Sequence, residues 1–496
     1  MYAGGMECTI GTDAEAKKLV AAALSGQLTD AQSTALAALG PAVVSLAFLA
    51  ASKRIAEQDG RIAELESKLK IATLDDPATP SGQRPLYAKP PRRKSKRKPG
   101  AKNGHAPARR KPPERIDRRE DHRLEACPGC GGPLQRCNRT RTRTIEDILE
   151  DLRTEVVEHT IHRDYCPACK KHVEPVVAEA LPKSVLGHRV MALTAWLHYG
   201  LGVTISQVIE LVDHLLQTRL SAGGLMAMWT RLALILEPWY EQIGRQARNS
   251  AVLHADETGW RVNGQTWWLW CFANGQVCFY MIDRSRGSPA LGKFFLTEFN
   301  GVLVTDFWAA YNRVEVRARQ ACLPHLLREL KKTDRLDKSP QWAAFRKKLK
   351  RLLRDGMRLG YRRADLTEEQ FASRRRRLTR RLRDLKTRRW DNKNAQRLAK
   401  RMDRYEQAIF TFLDYQDVPA DNNHAEREIR PAVIIRKNSL CIRSENGART
   451  QSILMSIYRT LKLRGLQPLD TIVAALQDYI RNGNLPPLPS ANHSDG

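Results

Sequence analysis

The chain has 496 residues, 42% of them hydrophobic, which excludes wholesale disorder and points to several domains rather than one core. It carries 83 basic against 54 acidic residues, a formal net charge of +29, so its partner is expected to be a polyanion, nucleic acid before an acidic membrane surface. Ten cysteines are too few for a disulfide framework in a chain this long, and four of them form two Cys-x-x-Cys pairs.

Residues 1–75 are expected to form a helical, coiled-coil dimerisation region. Phe48, Ile55, Ile62 and Leu69 recur every seventh residue, with a weaker row at Ala51, Gln58, Leu65 and Ala72 and charges between. One amphipathic helix packed on its own chain is the alternative. The apolar stretch 34–52 is interrupted by Gly40-Pro41 and is too short beyond it to span a bilayer, so a soluble, cytoplasmic, nucleoid-associated protein with no membrane partner is expected.

Residues 76–120 are rich in proline, glycine and basic side chains and read as an extended linker. Arg92, Arg93, Lys94, Lys96, Arg97, Lys98, Arg109, Arg110 and Lys111 are its candidates for contact with DNA phosphates. Residues 121–180 hold CPGC and CPAC. Cys127, Cys130, Cys166 and Cys169 have the spacing of two knuckles closing on one structural Zn2+, with Cys137 a spare thiol. Residues 181–249 read as short helices joined by glycine-containing turns, which suits a helix-turn-helix DNA reader and ordinary helical packing equally well.

From residue 250 the apolar period changes to two. SAVLHAD, QTWWLWCFA and QVCFYMID predict three meandering strands, followed by the helix SPALGKFFLTEF, the strand GVLVTD, the helix AAYNRVE and the strand RQACLPH. That order is the order of a ribonuclease H-like domain, in which the first and fourth strands adjoin. Asp256 is expected to end the first and Asp306 the fourth, so the two carboxylates would meet at one sheet edge. Like charges held together call for a divalent cation, and two Mg2+ (or Mn2+) ions would suit phosphodiester cleavage.

Residues 250–330 are the first part of this core and 411–465 the second. A basic helical insertion, 331–410, lies between them with Arg374, Arg375, Arg376, Arg377, Arg380 and Arg381 as DNA-backbone candidates. A third carboxylate is expected from a later helix in DNNHAEREIRP, where Asp421 and the asparagines can cap and Pro431 ends or kinks the helix. Glu426 is that candidate, and Glu428 is about 200° away around the helix. Glu257 is expected on the opposite strand face as a supporting residue, Asp283 as a turn residue and His254 as a packed histidine. Arg427, Arg430, Arg436, Lys437 and Arg443 are candidates to hold phosphates near the cut. Residues 466–496 read as a C-terminal helical tail. The fold class is thus multidomain α+β/α. A ribonuclease H-like catalytic domain of mixed sheet and helices is interrupted by the basic insertion and preceded by a zinc module, a helical DNA-binding region and an N-terminal coiled coil.

The DET of HADETGW, the TDFWAAYN box and DNNHAEREIRP with the later RKN and SENGA resemble the DDE transposases of the insertion sequence 66 family, as do KPGAKNGH and the paired Cys-x-x-Cys motifs. The resemblance covers nearly the whole chain. It implies that Asp256, Asp306 and Glu426 are the metal-binding catalytic carboxylates, and that His325 in CLPHLLREL has an active-site role. It further implies a transposase that cuts double-stranded DNA at terminal inverted repeats and joins 3′-hydroxyl ends to target DNA, in some members with small accessory proteins, while the heptad pattern of the N-terminal region adds the expectation of a homodimer. A nuclease of the same fold, such as a junction resolvase, and a non-catalytic DNA-binding regulator are the alternatives.

Overall fold

The computed structural model describes residues 17–22, 29–74, 116, 119, 129–133, 154–173, 175–439 and 442–491. At its centre a mixed sheet is built from β3 (Val252–Val262), β4 (Gln265–Ala273), β5 (Cys278–Asp283), β6 (Phe299–Thr305) and β7 (Val316–Ala321), in the spatial order β5-β4-β3-β6-β7. The first three strands are antiparallel, and β6 and β7 join parallel to β3. Asn263 and Gly264 both take positive φ (47° and 74°), the pairing a two-residue hairpin turn of the right twist demands. Asn274 closes the next turn by accepting the N–H groups of Gln276 and Val277. At Gly301 a Cβ would lie 2.5 Å from the Ser250 carbonyl oxygen, so only glycine lets β6 approach the start of β3.

Four local expectations change, the first in SPALGKFFLTEF, which is helix only from Ser288 to Phe295 and gives way to β6 at Phe299. Asp256 does not end its strand, because β4 keeps pairing with β3 as far as Val262 after β6 has stopped. AAYNRVE is reduced to a single 3-10 turn, Ala309–Arg313. RQACLPH stops being strand at Ala321, and helix α7 (Leu323–Leu336) begins with Pro324 in its first turn, where a missing N–H leaves no helical bond unmade.

Alternation along the strands gives the sheet two cores. Leu253, Ala255 and Leu303 face one cluster; Val302 and Val304 face the other. The first is covered by α3 (His188–Ala195), α5 (Ala222–Arg248), α6 (Ser288–Phe295), α13 (Glu445–Leu463) and α14 (Pro468–Asn482), while α4 (Ile205–Leu216) packs beside α5. On α5 the buried Leu225, Trp229, Leu232, Leu236, Trp239 and Ile243 recur at three- and four-residue steps, one stripe of a helix laid on the sheet. The second core belongs to α7, α8 (Pro340–Tyr361), α9 (Glu368–Thr387) and α10 (Lys393–Arg404), whose N-termini are capped in turn by Ser339 (α8), Thr367 (α9) and Asn392 (α10).

Both sheet edges are closed. Ser456 and Thr460, one turn apart on α13, accept the N–H groups of Tyr280 and Cys278 on β5. On β7, Gln320 accepts the N–H of Phe412, and Thr411 donates its hydroxyl to the Arg319 carbonyl.

Away from the sheet lie α1 (Asp30–Ala38) and the 34-residue α2 (Pro41–Leu74), on which Phe48, Ile55 and Ile62 are exposed at seven-residue steps. No helix among the described residues is long and apolar enough to cross a membrane. A small hairpin pairs β1 (Asp164–Cys166) with β2 (Lys171–Val173).

Candidate active site

Strand register brings the first two carboxylates together. β6 runs beside β3 at a constant offset of fifty, Val252 with Val302, Leu253 with Leu303 and His254 with Val304. The ladder ends there, two residues short of Asp256 and Asp306; the same offset carried on would set the two side by side, and the charge of Asp306 does reach Asp256. Asp256 accepts the N–H of Glu257 at 2.9 Å and Asp306 that of Trp308 at 2.8 Å, which fixes one oxygen of each. Burial and then the charge of Glu257 push both carboxyls up, Asp306 to about 7 and Asp256 well above the carboxylate range. Asp306 and Glu426 add to the shift on Asp256, so all of these carboxylates lie within electrostatic reach of one another.

Glu426 arrives on α11 (Asn423–Glu428), a helix of less than two turns that breaks at Ile429 before α12 (Arg430–Ser439). Asn422, just before it, was expected only as a cap. Its side chain instead holds the helix to the sheet: Nδ2 donates to the Ala255 carbonyl at 2.8 Å, and Oδ1 meets His254 Nδ1 at 3.0 Å. The residue that ties down α11 is thereby bonded to the main chain immediately before Asp256. A second tie joins α7 to the same segment, Leu323 N–H donating to the Ala420 carbonyl at 3.0 Å. From α7, Arg328 donates to Glu426 at 2.8 Å and His325 Nε2 lies 3.7 Å from it. Burial, reinforced by Arg328, lowers the His325 imidazole to about 4, so this ring is neutral at physiological pH. Burial also lowers His254 to about 4, leaving it neutral against Asn422.

The rival carboxylates have other partners. Glu428 is buried in a double hydrogen bond with Arg459 on α13. Asp283 accepts the Ser285 N–H at 2.8 Å and pairs with Lys293 at 2.5 Å, the role of a turn residue. Glu257 does face the other side of β3, and there it acts as a supporting residue. Its side chain, 3% exposed, pairs with Arg286 at 2.8 Å and accepts the Tyr311 hydroxyl at 2.7 Å. Arg286 in turn lies between the rings of Trp308 (4.0 Å) and Trp268 (4.4 Å). The loop carrying Asp306 and Trp308 is therefore clamped to β3 and β4. Spacing alone did not reveal this, because Arg286 and Tyr311 come from two separate turns.

The basic candidates separate into groups. Arg92 through Lys111 lie outside the described residues. On α9, Arg374, Arg376, Arg377 and Arg380 are exposed, whereas Arg375 pairs with Asp414 and Arg381 with Asp355. Arg374, Arg377 and Arg381 line a groove of about 640 Å3 between α8 and α9, faced by Lys348, Arg351, Arg358, Arg362 and Arg388 but only two acidic residues, Asp355 and Asp384. Arg427, Arg430, Lys437 and Arg443 are exposed. Arg436 turns inward, donating to Thr258 at 2.9 Å and to the Gly259 carbonyl, and so braces α12 on β3.

Cys127 lies outside the described residues and Cys130 is exposed. Cys166 and Cys169 sit at the turn of the β1–β2 hairpin, with the Cys169 N–H donating to Cys166 Sγ at 3.4 Å, an interaction that lowers the Cys166 thiol.

A mixed sheet flanked by helices, with basic helices inserted after it, is consistent with a transposase catalytic domain. The profile described as Transposase IS66 family matches residues 183–450, more than half of the chain, and the chain belongs to that family. It is also 25% identical over 408 residues to "Uncharacterized protein y4jD" of Sinorhizobium fredii (strain NBRC 101917 / NGR234), covering 72% of this chain and 75% of the relative. "Uncharacterized protein y4qI" of the same strain is 26% identical over 302 residues, covering 51% and 52% respectively.

Proposed function

We propose that the protein is a DNA transposase that cleaves the ends of an insertion sequence and joins the 3′-hydroxyl ends to target DNA by two-metal-ion phosphodiester chemistry. The observation that carries this reading is the parallel register of β3 and β6, which runs the two strands side by side to within two residues of Asp256 and Asp306, with the charges of Asp306 and Glu426 both reaching Asp256. The strand order β5-β4-β3-β6-β7 supports a ribonuclease H-like sheet. Asp256, Asp306 and Glu426 offer hard oxygen donors of the kind Mg2+ or Mn2+ takes, and burial together with the charge of Glu257 holds two of these carboxyls up until a cation compensates them. When bound, such ions lower the pKa of the attacking water or hydroxyl and neutralise the leaving oxygen.

The chain's own residues prepare that site. Asp256, Asp306 and Glu426 would hold the ions, each fixed from behind by a different element: β4, the loop clamped through Glu257 and Arg286, and the Asn422 anchor. Neutral His325 beside Glu426 can accept a hydrogen bond from an incoming group or take up its proton. The exposed arginines of α9 and of the α11–α12 segment, together with the linker, would hold the DNA backbone. The four cysteines would share one structural Zn2+, with the Cys166–Cys169 turn as one half of that site. Exposed Phe48, Ile55 and Ile62 on α2 suit pairing with a second copy, which would bring two element ends together.

Incubating the protein with end-containing DNA and Mg2+ and mapping the products tests this reading. Cleaved ends joined to a second duplex are expected. Free ends alone would select a nuclease or junction resolvase, and binding without cleavage a regulator.

A further inference from the structure

Cys322 has no part in the carboxylate chemistry, yet it lies against it. Its N–H donates to the Thr305 carbonyl at 2.9 Å, the residue before Asp306, and its buried thiol occupies the N-cap of α7. With His325 it forms a Cys-x-x-His pair in the first turn of that helix. The ligand atoms of Cys322, His325 and Glu426 all lie within 4.8 Å of one another, the one such group of three among the described residues. We propose that Cys322, His325 and Glu426 form a binding site for a zinc-class divalent ion that shares Glu426 with the carboxylate cluster.

The donor set decides the class of ion. Thiolate and imidazole are poor ligands for Mg2+ and good ones for Zn2+, which takes sulfur, nitrogen and oxygen in tetrahedral geometry. Bond lengths to zinc put neighbouring ligand atoms about 3.5 Å apart, and His325 Nε2 already stands 3.7 Å from Glu426 Oε1. The N–H of Asn422 points at Cys322 Sγ at 3.2 Å, the type of bond that supports a metal-bound thiolate. Arg328 occupies one lone pair of Glu426, but a carboxylate offers about four, and the Arg328 side chain is half exposed and free to swing aside. Binding replaces the Cys322 thiol proton, which leaves to solvent, and the fourth ligand position stays open to water or a phosphate oxygen. The consequence for activity rests on the function proposed above: an ion held here withdraws Glu426 from Asp256, so zinc opposes Mg2+-dependent cleavage.

The test counts zinc bound per full-length chain, after stripping and reloading, for the wild type and for Cys322→Ser, both of which keep the CPGC and CPAC cysteines. One equivalent fewer in the variant is expected, with His325→Gln, read for binding alone, also one short. The zinc concentration that halves Mg2+-dependent cleavage should rise roughly tenfold or more in Cys322→Ser. Equal zinc counts in variants that melt like the zinc-stripped wild type overturn the site. Equal inhibition despite a missing equivalent overturns the shared use of Glu426. If no protein cleaves at all, the transposase reading fails, and the zinc count still decides the site.

Discussion

Asp306 illustrates what the site demands of single residues. Burial and Glu257 raise its carboxyl to about 7, so the metal-free folded state holds a proton that the unfolded chain has released by about pH 4. Between those values the folded protein binds more protons than the unfolded one, and its stability falls as pH rises. Asn at this position cannot ionise and removes the penalty. In Mg2+-free buffer, the melting temperature of Asp306→Asn should exceed that of wild type at pH 8, with the gap closing towards pH 4. Parallel curves for the two proteins would contradict the cause assigned to the shift. Added Mg2+ should stabilise wild type more than the variant, since the ions offset the repulsion that Asn lacks.

At the scale of elements, one side chain links the short helix bearing Glu426 to the strand bearing Asp256. Replacing Asn422 by Ala leaves His254 Nδ1 and the Ala255 carbonyl without their partners in a buried place, at about 1–3 kcal/mol for each group left unpaired. Urea unfolding should register that loss, and cleavage should fall further than the folded fraction does, because α11 is free to shift. Cleavage that simply tracks the folded fraction would show that Asn422 holds the fold and not the site. The sequence made much of this level legible. Alternation marked the strands and Pro431 marked the break between α11 and α12. Long-range pairing was not legible: β3 runs past Asp256 because of β4, and Glu257 matters because Arg286 and Tyr311 reach it from distant turns. Cys322 carried a signal, its spacing from His325, which only the approach of Glu426 makes meaningful.

For the whole molecule, a net charge of +29 has to be gathered where DNA passes. The groove between α8 and α9 concentrates it, and Arg374 and Arg377 are exposed there while Arg381 is paired with Asp355. Each phosphate that the protein no longer neutralises lowers the slope of log affinity against log salt by about 0.9. The double variant Arg374→Ala with Arg377→Ala should therefore flatten that slope by about one to two units across unrelated duplexes. An unchanged slope would place the DNA elsewhere on the chain.

The most direct test of the central claim compares cleavage and joining of end-containing DNA in Mg2+ by wild type with Asp256→Asn, Asp306→Asn and Glu426→Gln. Each variant should fold and bind DNA yet lose activity by roughly two orders of magnitude or more, the scale set by removing a group that manages transition-state charge. Activity equal to wild type in any of the three would contradict the assignment of that carboxylate and, with it, the site.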